Sequence, residues 1–243
     1  MPILELVAPR FKDDPAVIAE AQAVLLPNFR VKLEEVGVRN GMGGFFETEN
    51  GRDIRAENRK LVVLEYASVE MFQTLFTSDE FREFAIALST KYCGSPPAPK
   101  LYDIAAEDNL SALFDAGTVL EHLEIAPRDA LSTDTDGVLD ALLAKLRGSL
   151  EKFGATKAVA GKSINLDNKE IALVAVYRDD EAFEAAKASA ARQELLAEIS
   201  HAADVTSLIS HVERELPLAK HQLDNHVPES HNLHTNPAQS VVS

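Results

Sequence analysis

Two short stretches carry the same arrangement of ionisable groups, His122-Leu123-Glu124 and His211-Val212-Glu213. Successive side chains of a strand point to opposite faces, so the histidine and glutamate of each triplet share one face and the apolar residue takes the other. A βαββαβ chain order makes its first and last strands antiparallel neighbours. With a favourable register, His122 then meets Glu213 and Glu124 meets His211. Two imidazoles beside two carboxylates suit general acid–base work, because a carboxylate partner shifts the imidazole pKa and selects its tautomer. The quartet would equally suit zinc, iron or manganese through two nitrogens and one or two oxygens. The third outcome is an open sheet face whose ion pairs only hold register.

Other residue types invite chemistry with less pattern behind them. Tyr66, Tyr102 and Tyr177 are phenols able to donate to an enolate or phenolate oxygen, or core rings with satisfied hydroxyls. Arg39 and Asn40 precede Gly41, Gly43 and Gly44 at the start of a strand, where they would meet an anionic substrate, although glycines there also mark bulges. No helix follows these glycines, so they are not a dinucleotide loop. His201 closes a helix. His221, His226, His231 and His234 lie in a polar C-terminal stretch at spacings that match no metal site. The single cysteine, Cys93, excludes an internal disulfide framework and a thiolate zinc centre and fits a reducing compartment.

The elements that would position these groups fall into two similar halves. Val7-Ala8-Pro9-Arg10 returns as Ile125-Ala126-Pro127-Arg128, and Leu33-Glu34-Glu35-Val36-Gly37 as Leu150-Glu151-Lys152-Phe153-Gly154. Tyr66, Glu70 and Phe72 return as Tyr177, Glu181 and Phe183. By the first match the counterpart of His122 is Leu4, which makes any His/Glu site one-sided. In the first half, strands are expected over 2–10, 38–48, 61–66 and 100–106. Helical spacing runs from Asp13-Asp14-Pro15 to Gly37, with a kink at Pro27, and again over 69–91. In the second half, strands are expected over 117–126, 156–164, 170–178 and 207–215, with helices over 135–153 and 180–203. This gives a first unit over 1–108, a linker over 109–116, a second unit over 117–217 and a disordered polar tail over 218–243.

Composition narrows the partners. The 243 residues are 46% hydrophobic and 26% charged, an ordinary globular mix. No apolar run approaches the ~18 residues that span a bilayer, and the N-terminus lacks the pattern of an export signal. Lys and Arg number 24 against 39 Asp and Glu, a net charge of −15 that disfavours nucleic acid and anionic lipid. A cytoplasmic protein without nucleic-acid or membrane partners is expected.

A βαββαβ unit forms a ferredoxin-like sheet with its helices on one face, leaving an apolar face to cover. Two such sheets facing one another cover it. Tyr66-Ala67-Ser68-Val69-Glu70-Met71-Phe72 followed by Thr77-Ser78-Asp79-Glu80-Phe81 resembles the strand-to-helix segment of the dimeric α+β barrel superfamily, in its antibiotic-biosynthesis-monooxygenase and stress-responsive group. The second copy, Tyr177-Arg178-Asp179-Asp180-Glu181-Ala182-Phe183, keeps Ser189 for Ser78 but has no counterpart of Phe81. The resemblance implies an α+β fold in which two tandem ferredoxin-like units form one intramolecular barrel. If Leu123, Ile125 and Val212 pack on helices, the His/Glu face looks into that barrel.

The resemblance also implies a small aromatic or polyketide-like ligand and no organic cofactor. Cyclisation, isomerisation, decarboxylation or oxygenation would begin with proton removal from a phenolic, quinol or β-keto substrate. His122 is then the expected base, helped by Glu124 or Glu213, with His211 and Tyr66 stabilising the oxyanion and Arg39, Asn40, Tyr102 and Tyr177 near the substrate. Without tryptophan, or a histidine in or before 69–91, haem degradation is disfavoured. The competing expectations are a non-catalytic stress-type barrel filled by its own side chains and a metal enzyme using the quartet. A tandem copy permits a monomer, while exposed helix faces leave a homodimer open.

Overall fold

The computed structural model describes residues 2–128, 135–167 and 169–212. Glu213 and the stretch 218–243 lie outside the described residues. The first half contains β1 (Ile3–Val7), α1 (Pro15–Glu20), α2 (Leu26–Glu35), β2 (Asn40–Glu49), β3 (Arg52–Asp53), β4 (Lys60–Tyr66), α3 (Val69–Phe76), α4 (Asp79–Ala87) and β5 (Lys100–Ile104). The second contains β6 (Val119–Pro127), α5 (Thr135–Arg147), β7 (Lys157–Ser163), β8 (Ile171–Tyr177), α6 (Asp180–Lys187), α7 (Ala190–Ala202) and β9 (Ala203–His211).

Local chemistry explains most boundaries. Asp14 caps α1 by accepting the Ala16 N–H at 2.9 Å, and Asp179 caps α6 by accepting that of Ala182 at 2.9 Å. Ser78 accepts the Phe81 N–H at 3.1 Å and so starts a new helix. The single helix expected over 69–91 is therefore α3 and α4, followed by a π-helical turn over Leu88–Tyr92. A second π-helical turn, Ala21–Leu25, joins α1 to α2 just before Pro27. Proline removes a helical N–H and crowds the preceding turn, and the wider π turn absorbs that conflict.

All strand pairings are antiparallel, in the order β3-β2-β4-β1-β5-β7-β8-β6-β9, and β2 also pairs with β9. That contact closes eight strands into a barrel, with β3 as a short appendage to β2. Closure removes the open sheet edges that invite aggregation. Each half contributes four neighbouring barrel strands in the same internal order, β2-β4-β1-β5 and β7-β8-β6-β9.

The alternation of strand residues sorts the molecule into an interior and an outer shell. One buried apolar cluster draws on every barrel strand, for example Leu4, Phe46, Val63, Ile104, Val159, Val174, Leu120 and Leu208, and fills the lumen. Val119, Leu123 and Ile125 of β6 face the other way and pack with Leu139, Leu146, Leu195 and Ile199 of α5 and α7. On the outer face of the first half, Ile3, Leu64 and Tyr66 meet Leu33, Phe72 and Leu75.

Barrel closure depends on close backbone approach at Gly44, where an added Cβ would lie 1.9 Å from the His211 carbonyl oxygen. Gly44→Ala should therefore push β9 from β2 and lower stability by about 2 kcal/mol or more. Urea unfolding checks this, and an unchanged midpoint would show that the seam is looser than described.

Candidate functional site

Of the expected His/Glu quartet, Glu213 lies outside the described residues, and His211 does not join His122 and Glu124, for a reason of register. β9 begins at Ala203, directly after α7, rather than near residue 207. On β6 and β9, His122 stands opposite Leu208, Glu124 opposite Thr206, and Val119 opposite His211. His211 thus shares the face of Val119, and a one-residue difference in parity puts it on the far side of the sheet from His122. There its Nδ1 lies 2.8 Å from Glu47 Oε1 and its Nε2 3.0 Å from Asp180 Oδ1. Burial lowers the His211 pKa, but the two carboxylates outweigh it and raise the value. Among the described residues, no cluster of three or more His, Cys, Asp or Glu side chains is placed to hold a metal.

His122 does face the lumen, as the packing of Leu123 and Ile125 on helices requires. It is buried, and neither ring nitrogen has a hydrogen-bond partner among the described residues. Burial, with some help from the charge of Lys100, pushes its pKa down to about 3, so the ring is neutral. Glu124 shares that face and pairs with Lys100 at 2.9 Å. Lys100 also reaches Glu170 at 2.9 Å, and the Tyr102 hydroxyl donates to the same Glu170 oxygen. Tyr102 is therefore part of a charged cluster in which its pKa is raised, by burial first and then by Glu170. Arg39 is exposed, and Asn40 donates to Glu65 Oε2 at 2.6 Å. Neither lines the cavity described next.

The cavity lies between sheet and helices in the first half, outside the barrel lumen. It encloses about 450 Å³ under α2 and α4, with Phe29, Phe76, Phe81 and Phe84 among its walls. Glu5 and Tyr66 form its polar spot, and the Tyr66 hydroxyl donates to Glu5 Oε2 at 2.7 Å. Burial pushes the Glu5 carboxyl up to about 7, against the lowering effect of that hydrogen bond. The Tyr66 phenol is raised by burial and by the carboxyl beside it, so it remains a donor. Lys60, Arg30 and Gln22 also line the cavity. Such a pocket, largely apolar with a few convergent polar groups, is the usual form of a small-molecule site.

The second half repeats the polar spot and closes it. The Tyr177 hydroxyl donates to Glu121 Oε2 at 2.8 Å, while Arg192 donates to Glu121 Oε1 at 2.5 Å and Ser207 to the same oxygen at 3.0 Å. Arg192 is buried over the Phe153 and Phe183 rings. Ile3 faces Tyr66 as Val119 faces Tyr177, so Glu5 corresponds to Glu121 and Leu6, not Leu4, to His122. Sequence reading missed Glu5, Glu121 and Arg192 because the Val7–Arg10 and Ile125–Arg128 match shifts the halves by two positions. The signal that would have found the two glutamates is a carboxylate two residues beyond the strand position facing the strand-end tyrosine, Glu5 after Ile3 and Glu121 after Val119.

Solved structures share this architecture. A "putative monooxygenase" from Lactobacillus acidophilus NCFM superposes with a TM-score of 0.54 at 14% identity, over 86% of this chain and 96% of its own. Another, from Fusobacterium nucleatum, gives 0.55 at 11% identity over 88% and 94%. An anthrone oxidase-like protein gives 0.55 at 13% identity over 87% and 91%. No protein-family model and no curated protein matches the chain. At these identities the likeness shows the fold, an α+β protein built on an eight-stranded antiparallel barrel. Among the described residues, no helix is long and apolar enough to cross a membrane.

Proposed function

We propose that this chain is a small-molecule enzyme that takes a proton from a planar phenol, quinol or β-keto compound in the first-half cavity, with Glu5 as acceptor and without an organic cofactor. The observation that carries the reading is a buried carboxyl with a pKa of about 7, bonded to a phenol, at the wall of an aromatic-lined cavity. A general base works best when its pKa lies near the working pH. In this reading Glu5 accepts the substrate proton, Tyr66 holds the carboxylate in place before the transfer, and the apolar walls hold the ring and exclude water. The enolate or phenolate so formed is reactive toward dioxygen or rearrangement, and the descriptions of the similar structures favour oxygenation.

The matched strand order and pairings support a chain made of two ferredoxin-like units in tandem, one carrying the site and the other buttressing the barrel. That arrangement would serve as a monomer. A cytoplasmic setting fits the buried thiol of Cys93.

A second reading assigns the base to His122 in the lumen, and the observation favouring it is that neither buried ring nitrogen has a partner among the described residues. Oxygen uptake with anthrone and hydroquinones separates the two. Glu5→Gln should lower turnover about 100-fold or more, with His122→Leu close to wild type. The opposite ranking would move the site into the barrel, and full activity in both variants would refute proton abstraction by either group.

A further inference from the structure

The two halves offer a comparison within one chain. Each presents a glutamate bonded to the strand-end tyrosine, Glu5 with Tyr66 and Glu121 with Tyr177. Each has the helix that covers this pair begin after a serine, Ser78 or Ser189. Three residues into that helix stands Phe81 in one half and Arg192 in the other. Phe81 is a wall of the cavity, whereas Arg192 runs inward to the carboxylate. Its guanidinium lies 6.0 Å from the Phe153 ring centre and 5.9 Å from that of Phe183. Its Nε has no partner among the described residues, so the fit to Glu121 is made through one edge of the planar group.

We propose that the second half holds a self-occupied copy of the first-half site, in which the Arg192 guanidinium stands where a ligand's planar hydrogen-bond donor sits in the first half. Phe81 is then the specificity-determining residue, because an apolar ring at that position keeps the Glu5–Tyr66 pair open to a ligand. The inference rests on reading the cavity as a ligand site and adds the ligand's chemistry. A planar group held among rings must present an O–H or N–H to the carboxyl. A charged donor would have to give up its hydration in this largely apolar cavity, so a neutral one, such as a phenol, is favoured.

Thermal unfolding of the full chain with defined probes tests this. At tenfold its dissociation constant, p-cresol should raise the wild-type Tm by about 4 °C, and 4-methylanisole, which has the same ring without a donor, should not. Phe81→Arg should fold and lose the p-cresol response, because its own guanidinium takes the donor position. Arg192→Ala should be destabilised, since it leaves Glu121 buried without its cation, and methylguanidine should recover part of the lost Tm without affecting wild type. A full p-cresol response in Phe81→Arg, or no recovery of Arg192→Ala by methylguanidine, would overturn the proposal. If Arg192→Ala does not fold, Phe81→Arg decides alone. Failure of p-cresol to bind the wild type would sink the catalytic reading of the cavity, while the methylguanidine experiment still decides whether Arg192 occupies a ligand position.

Discussion

Glu5→Gln should make the protein more stable at neutral pH, and the gain should vanish in acid. The carboxyl is held near pH 7 in the folded chain and returns to about 4.5 on unfolding. Below pH 4.5 both states are protonated and the group has no effect on the balance. Between 4.5 and 7 the unfolded state sheds the proton while the folded state keeps it, so wild-type stability falls as pH rises through that window. The accumulated loss is about 3 kcal/mol, at 1.36 kcal/mol per pKa unit. Glutamine keeps the acceptor for Tyr66 and has no proton to lose. The expected result is a difference in unfolding free energy that grows from near zero at pH 4.5 to about 3 kcal/mol at pH 7.5. Parallel curves for variant and wild type would show that Glu5 is not desolvated in solution. A residue that costs stability and yet improves activity is the usual signature of a functional group.

His122→Leu carries an expectation of the opposite sign in pH. The buried imidazole resists protonation down to about pH 3, whereas the unfolded chain protonates near 6.5. Stability supported by the neutral ring is complete above pH 6.5 and is lost as pH falls toward 3, by up to about 5 kcal/mol. Leucine removes this acid sensitivity. It also removes two nitrogens that have no partners among the described residues, and a buried polar group left unpaired costs about 1–3 kcal/mol. The variant should therefore exceed wild type by about 1–3 kcal/mol at pH 7 and by more at pH 4, as denaturant titrations would read. A loss of stability at neutral pH would mean that His122 is hydrogen-bonded in solution, and it would revive the lumen as a site.

Much of the fold is legible in the sequence because strand and helix declare themselves through spacing. The lone carboxylate of Ile3-Leu4-Glu5-Leu6-Val7, the run Leu61–Tyr66, the caps at Asp14 and Asp179 and the glycines at 37 and 154 are all local signals. Register is different, because it is decided by how whole strands pack. His122 and His211 look equivalent as tripeptides, yet the register that sets Val119 opposite His211 and His122 opposite Leu208 gives them opposite faces. The open space lies at the sheet–helix interface rather than in the lumen for a related reason. Lumen positions such as Leu4, Phe46 and Val63 are bulky and fill the barrel. In the first half, the π turn before Pro27 accompanies a helix that buries only Leu33, whereas α5 of the second half buries Leu139, Leu142, Leu143 and Leu146. No periodicity rule anticipates an unfilled interface. The sequence does show an arginine, Arg192, in the second half where the first has Phe81.

The most direct test of the account is a carbon-13 NMR titration of the Glu5 side-chain carboxyl, assigned by its disappearance in Glu5→Gln, with and without p-cresol. A midpoint near pH 7 that moves when p-cresol binds is the predicted result, since the carboxyl is both desolvated and in contact with the ligand. A midpoint near 4.5, or one that p-cresol leaves unchanged, would contradict the claim that the first-half cavity is the functional site.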